Sequence, residues 1–451
     1  MNTSCDTSSR RARRWTTLAI AVILAGLAPW VIGRLRGHAG ETGLEDLRYR
    51  FERTARGTIT AALEREIAFY QTRITRDPQG GLDLASLAGS YLRMARATGD
   101  LSWYVLADQA ARRSLANLPF QNDSAILALA KIAEVRHDFK EAIRLAEGLR
   151  AHQDGLGILV TAHLAIGDVE TAGRAAEELV RRLPTLGSLT LRALVSIARG
   201  ADAAAESDFL RAIAAEEAGE AGGSAYARTL LGRFHARRGR LDLARALYQE
   251  ALRILPQYPL ALVHLAELEA RTGAYRLAER HLAEVVTISA DPNVFDHAVF
   301  RGMARLKALQ NDRAAAEASW DQAETRLRRD VAQGAFGHRR ELAHLLLERG
   351  RPSDVVEALT LMRKEVLNRR DSETLGILAW ALIRAGRTDE ARGAMRKALR
   401  WGLRDATLYY RAGMIEQVLG DRAQAEVFFE KAQSTDPGFD QRTRRALGVE
   451  P

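Results

Sequence analysis

The strongest constraint on this chain is a pair of short amphipathic helices that returns at a fixed step. Residues 230 to 256 read LLGRFHARRGRLDLARALYQEALRILP. Leu231, Phe234 and His235 share one helical face, Gly239 breaks the run, and Leu243, Ala244, Leu247, Tyr248 and Ala251 make a second apolar stripe ending at Pro256. A step of 34 residues carries Leu231, Gly232, Gly239 and Ala244 onto Leu265, Ala266, Gly273 and Ala278. The same step relates Gly386, Ala391 and Ala398 to Gly420, Ala425 and Ala432. The place of Ala244 can be followed as Ala107, Ala142, Ala172, Ala205, Ala244, Ala278, Ala316, Val355, Ala391 and Ala425, ten units spaced about 35 residues apart.

Small side chains at these places let two antiparallel helices approach closely, so each unit is expected to fold as a helical hairpin. Val355 is the one branched residue in the series, and helix packing in the eighth unit is expected to depart there. A chain of such hairpins has no single globular core. Its stability is close to a sum of unit and nearest-neighbour terms, and each unit is expected to touch only its neighbours. No strand-length β-branched run bounded by turns is present, which speaks against a sheet domain.

The series Leu231-Gly232, Gly239, Ala244, Tyr248, Ala251 and Pro256 resembles the tetratricopeptide repeat, and the resemblance extends over roughly residues 82 to 440. It implies an all-α solenoid of about ten helix-turn-helix repeats that binds a protein or peptide. The chain then divides into a basic tail (1–14), an apolar segment (15–33), a juxtamembrane linker and helix (34–81), an N-terminal lobe (82–218), and a C-terminal lobe (224–440) with a tail (441–451). The glycine-rich GEAGG between the lobes, residues 219–223, reads either as a hinge or as a longer ordered turn.

Residues 15–33, WTTLAIAVILAGLAPWVIG, carry no charge and as a helix would span about 28 Å, close to the hydrocarbon thickness of a bilayer. Trp15 and Trp30 lie near its ends. Arg10, Arg11, Arg13 and Arg14 precede it and only Arg34 and Arg36 follow, so the positive-inside bias places the repeats outside the cytoplasm. The expectation is a single-pass transmembrane anchor in a bacterial inner membrane. A signal peptide cleaved near Gly37-His38-Ala39 is the competing reading, and the same scaffold facing the cytoplasm is the other topology. Beyond it, Leu44, Leu47, Phe51, Ala55, Ile59, Leu63, Ile67, Tyr70 and Ile74 keep helical spacing. They read as one long helix, interrupted at most at Gly57, that either seals the first repeat or pairs with a second copy in a homodimer.

The net charge of +9 divides unevenly: residues 1 to 36 hold six Arg and one acid, and the other 415 residues hold 60 basic and 56 acidic groups. A balance of +4 over the repeats lacks the concentrated footprint that nucleic acid requires. Cys5 is the only cysteine, so no intrachain disulfide forms. Glu134 with His137 and Glu341 with His344 have the spacing that presents two metal ligands on one helix face. They belong to units 2 and 8, which neighbour-only contact would keep apart, so no metal is expected. The chain has no phosphate-binding loop, nucleophile elbow or His-Glu-x-x-His motif, and neither catalytic residues nor a cofactor are expected.

The resemblance also implies a site. In that family the first helices of successive repeats line a concave groove, and their fifth, ninth and thirteenth positions point into it. Here those places hold Arg233, Arg237, Arg271, Arg301, Arg305, Arg340 and Arg384, with Glu267 and Glu348 as the acids. A guanidinium presents a planar fork of donors to a carboxylate, so the expected ligand is an acidic or carboxylate-bearing peptide. Thr229 and Arg233 stand where the family's chaperone-binding clamp has Lys and Asn, so a chaperone tail is not expected. Reversing Arg233, Arg237 and Arg305 to Glu is expected to abolish capture without loss of stability. The leading function is a non-catalytic scaffold in envelope assembly. An enzyme with an unrecognised site is the competing class, and titratable side chains converging in one closed cavity would speak for it.

Overall fold

The computed structural model describes residues 44–53, 55–286, 293–332 and 338–449. Residues 15–33, and with them the expected anchor, lie outside these, and among the described residues no helix is long and apolar enough to cross a membrane. The described residues from Tyr49 on form one compact unit.

Helix α1 (Thr58–Arg76) precedes ten helical hairpins. Repeats 1 to 5 are α2 and α3 (Gly81–Thr98, Ser102–Asn117), α4 and α5 (Asp123–Val135, Phe139–Glu147), α6 and α7 (Gln153–Ala165, Val169–Arg182), α8 and α9 (Leu186–Ala198, Asp202–Ala214), and α10 and α11 (Ala221–Ala236, Leu241–Ile254). Repeats 6 to 10 are α12 and α13 (Pro259–Arg271, Tyr275–Val286), α14 and α15 (Asp296–Leu309, Arg313–Ala332), α16 and α17 (Arg339–Arg349, Pro352–Glu365), α18 and α19 (Ser372–Arg384, Thr388–Leu399), and α20 and α21 (Ala406–Val418, Arg422–Thr435). A short helix, α22 (Gln441–Ala446), follows. In repeats 2, 3 and 10 an aspartate caps the second helix: Asp138, Asp168 and Asp421 accept from the backbone N–H three residues on, at 3.0–3.2 Å.

All ten residues traced from Ala244 lie on second helices and are buried. Val355 is buried with the rest at 8% exposure, so the branched side chain does not displace its hairpin from the common packing. Aromatic rings complete the same interface. A Cβ on Gly232 would stand 2.6 Å from the Tyr248 ring, and one on Gly413 2.5 Å from the Phe429 ring, so in repeats 5 and 10 the ring lies directly on the glycine.

The long helix expected over residues 44 to 74 is shorter. Leu44–Leu47 is a single 3-10 turn, and α1 begins only at Thr58, because Gly57 adopts a left-handed φ of 77°. Leu63 and Ile67 of α1 pack with Leu87, Tyr91 and Leu92, sealing repeat 1. Residues 49–53 cross repeats 4 to 6 instead of continuing the helix. The Tyr49 N–H donates to Glu250 at 3.0 Å, its ring packs with Ala221, Ala225, Ile254 and Ala261, and Arg50 donates to the Ala214 carbonyl at 2.8 Å. The stretch read as a hinge is largely helical: Gly219 forms a turn, but Ala221 to Gly223 begin α10. The stretch read as a C-terminal tail also folds in, with Ala446 packed among Leu262 and Leu306 and Val449 against Ala406 and Phe439.

One expectation is overturned outright. The repeats do not touch only their neighbours, because the superhelix winds tightly enough for its turns to meet. The Gly99 carbonyl in repeat 1 accepts from the Val294 N–H at the start of repeat 7, at 2.9 Å. The His137 ring in repeat 2 lies 6.1 Å from that of His338, beside repeat 8. The Ala165 carbonyl of repeat 3 accepts from Arg370 and Asp371 at the start of repeat 9, at 2.9 and 3.1 Å. Arg404, leading into repeat 10, donates to Asp202 of repeat 4 at 2.9 Å. Trp401 and Arg400 strengthen this seam by donating to the Gly167 carbonyl at 3.2 and 2.9 Å. Along this seam repeats 1 to 4 therefore meet repeats 7 to 10, while repeat 10 also reaches repeats 5 and 6 through Asp405 and Asp436.

Candidate functional site: an arginine-lined lumen

Closure of the superhelix turns the concave face of repeats 5 to 10 into a chamber of about 320 Å³. Six of the seven arginines chosen from the repeat register line it: Arg233, Arg237, Arg271, Arg301, Arg305 and Arg340. Arg384 does not. It ends α18 on the exterior, where its guanidinium reaches the Gly350 carbonyl at 3.4 Å. Phe439 and Leu447, from the segment around α22, form part of the wall. The enclosed surface is still wet on one side: Arg233 and Arg237 keep 38% and 41% of their side chains accessible, facing the lumen.

Most of this positive charge is answered from within. Arg237 donates to Asp405 at 2.8 Å, Arg271 to Asp436 at 2.7 Å, and Arg340 to Glu341 at 2.7 Å. Glu348, behind the wall, takes both Arg301 and Arg305, the latter through Nε at 3.1 Å. Burial pushes the Glu348 carboxyl up, but the two guanidiniums overcome it and hold it well below the usual range. Glu373 is likewise held low, first by Arg340. Glu341 stays ionised against its burial because Arg340 lies beside it. Asp405 and Asp436 come from the start and end of repeat 10, across the seam from the arginines they pair with. The repeat register of one turn could not reveal them.

Two guanidiniums are left short of charge. Arg411, on α20, is 7% exposed and stacks over Trp380 at 4.0 Å from the ring centroid. Among the described residues it makes no hydrogen bond and no ion pair, and its Nε is buried without a partner. Burial lowers its pKa to about 10, an effect that Asp405, Glu348 and Glu373 only partly offset. Arg233 has its nearest carboxylate oxygen, on Glu373, at 4.0 Å, and Arg237 beside it lowers its pKa. The sequence reading missed Arg411 because it stands where repeat 5 has Leu230, one place off the register used to choose groove positions.

Three histidines share the lumen, and all are neutral near pH 7. Burial, with arginines close by, lowers His264 and His297 to about 3 and His344 far below its ordinary value. The two Glu-x-x-His segments, which neighbour-only contact would separate, do approach one another. His297 and His338 rings are 4.9 Å apart, His338 lies beside His137, and the charge of Glu341 reaches His137. Even so, no group of His, Cys, Asp or Glu among the described residues could hold a metal ion.

No curated protein matches the chain. Solved structures that it resembles include the monomeric IFIT1 mutant with Gppp-AAAA, at 14% identity and a TM-score of 0.36, covering 82% of this chain and 67% of that one. They also include the APC/C hetero-tetramer Cut9-Hcn1, at 11% identity and 0.33, covering 87% and 93%. Yeast Tom70 is similar at 13% identity and 0.36, covering 86% and 91%. Residues 406–439, which span repeat 10, match the tetratricopeptide repeat model, and that hairpin shares its two-helix design with the nine before it.

Proposed function

We propose that the chain is a non-catalytic scaffold that binds an acidic segment of a protein partner in the lumen of its helical repeats. Residues 15–33 tether it to a membrane, with the repeats outside the cytoplasm, in envelope assembly. The observation that supports this most is the convergence of seven arginines from repeats 5 to 8 and 10 in one chamber, two of them without sufficient counter-charge. An acidic ligand would supply that charge through the paired oxygens that guanidinium forks accept.

The enclosure of titratable groups also meets the condition that favours an enzyme. The protonation states argue for binding. Glu341, Glu348 and Glu373 are held far below neutral and the imidazoles are depressed, so these groups are poor proton donors or acceptors near pH 7. The test is fluorescence anisotropy of labelled Asp/Glu-rich and Ser/Gly-rich peptides with the full-length chain in detergent. Acidic peptides should bind, and rising salt should weaken them. Arg233→Gln should reduce the affinity. Equal binding of neutral peptides, or none of either kind, would overturn the reading. Alkaline phosphatase fused after Gly40 tests the topology: an inactive fusion would rule out repeats outside the cytoplasm.

A further inference from the structure

We propose that the lumen seats a compact multivalent oxyanion, a small molecule carrying at least two carboxylate or phosphate groups, between Arg411 and Arg233. This rests on the reading of the lumen as an acid-receiving site and adds a small-molecule ligand that would compete there with the acidic segment.

Arg237, Arg271, Arg301, Arg305 and Arg340 each have a carboxylate within hydrogen-bonding reach. Arg411 has none, although it is more than nine-tenths buried, and a buried donor left unmade is costly. Its face is taken by Trp380, which leaves the edge of the guanidinium to meet an anion. Further donors without a hydrogen bond lie in the same wall, Nε of Arg271 and Nε of Arg301. Arg233, half-exposed to the lumen, is the second under-neutralised cation. Two separated guanidiniums short of charge call for two anionic groups on one ligand. The 320 Å³ chamber sits at the lower end of the roughly 300–1,000 Å³ typical of small-molecule pockets. The lowered pKa of Arg411 agrees, since a burial cost that the protein does not offset is one that a bound anion can.

The probes are citrate and inorganic pyrophosphate, with sodium chloride at matched ionic strength as control, on the full-length chain in detergent. Calorimetry should show one-site binding of at least one probe, and that probe should raise the melting temperature. Which probe binds tells carboxylate from phosphate chemistry. Arg411→Met should weaken binding at least ten-fold while leaving the ligand-free melting temperature unchanged or higher, because it removes an unpaired buried charge. Arg384→Met, on the exterior, should change neither. If Arg411→Met does not fold, Arg233→Met carries the test, and affinity retained there overturns the proposal. Binding of neither probe at millimolar concentration overturns it as well. Acidic peptides that bind without competition from either probe would overturn this proposal and leave the scaffold reading standing. Loss of both peptide and probe binding would remove the two together.

Discussion

Gly413 supports the ring of Phe429 as Gly232 supports Tyr248, and this glycine-on-aromatic contact sets how closely the paired helices stand. A methyl group at Gly413 would stand 2.5 Å from the ring, so ring or backbone must move. Gly413→Ala should therefore lower stability by about 1–3 kcal/mol, the usual cost of overpacking. Equilibrium denaturation checks it, and an unchanged midpoint would show that the interface yields freely. At this scale the sequence was informative wherever a residue recurs at the repeat step, as Ala107 through Ala425 do. It was silent about Arg411, whose place off the groove register gave no reason to select it. Charge reversal carries a further cost that the sequence could not show: Arg305→Glu would set a second carboxylate against Glu348, which pairs with Arg301 and Arg305, so the triple reversal should destabilise the lumen as well as abolish capture.

Among the elements, the segment between repeats 4 and 5 is held by the most deeply buried ion pair described. Glu216 accepts from Arg228 at 2.7 and 3.0 Å with both side chains inaccessible, and Arg50 of the crossing segment approaches the same carboxylate at 3.8 Å. Breaking such a pair on one side leaves a buried charge without its counter-ion, at a cost of about 3–5 kcal/mol. Glu216→Gln should lose about that much, and hydrogen exchange should show α10 and residues 49–53 opening first. Protection there equal to the native chain would mean that residues 49–53 are held by Tyr49 and by the Arg50 bond to the Ala214 carbonyl without help from Glu216. The periodicity from Leu44 to Ile74 predicted a helix across this segment. Apolar spacing does not register a left-handed φ at Gly57, nor the competing site that Ala225, Ile254 and Ala261 offer to Tyr49.

At the largest scale, the seam between turns holds the repeats closed. Gly200 has a left-handed φ of 69°, and a Cβ there would overlap the Gly402 carbonyl of the facing turn. Gly200→Ala should loosen the seam while each hairpin persists: helical circular dichroism unchanged, radius of gyration by X-ray scattering increased. An unchanged radius would place the hold elsewhere in the seam. Acid should loosen it too. Burial keeps His137 and His297 near 4 and 3, so between about pH 6.5 and 4 the unfolded chain takes up protons that the folded chain refuses. Stability should therefore fall as pH drops through that window, by at most about 1.4 kcal/mol per pH unit for each such imidazole. His297→Gln should flatten the slope in pH-dependent denaturation, and an unaltered slope would assign it to other groups. None of this closure was legible in the sequence, because it depends on a small rotation per repeat that packing sets and that accumulates over six units.

That accumulation also bears on how such a chain can change its length. An open array gains or loses a hairpin for the sake of one interface, so copy number drifts easily in descent. Here Gly99 faces Val294, Ala165 faces Arg370 and Asp202 faces Arg404, each six repeats on. Excising one hairpin from the middle would shift every facing pair at once and set Asp405 and Asp436 opposite the wrong arginines. Like a gear with a fixed number of teeth, this molecule can replace its repeats one residue at a time but cannot freely change how many it has.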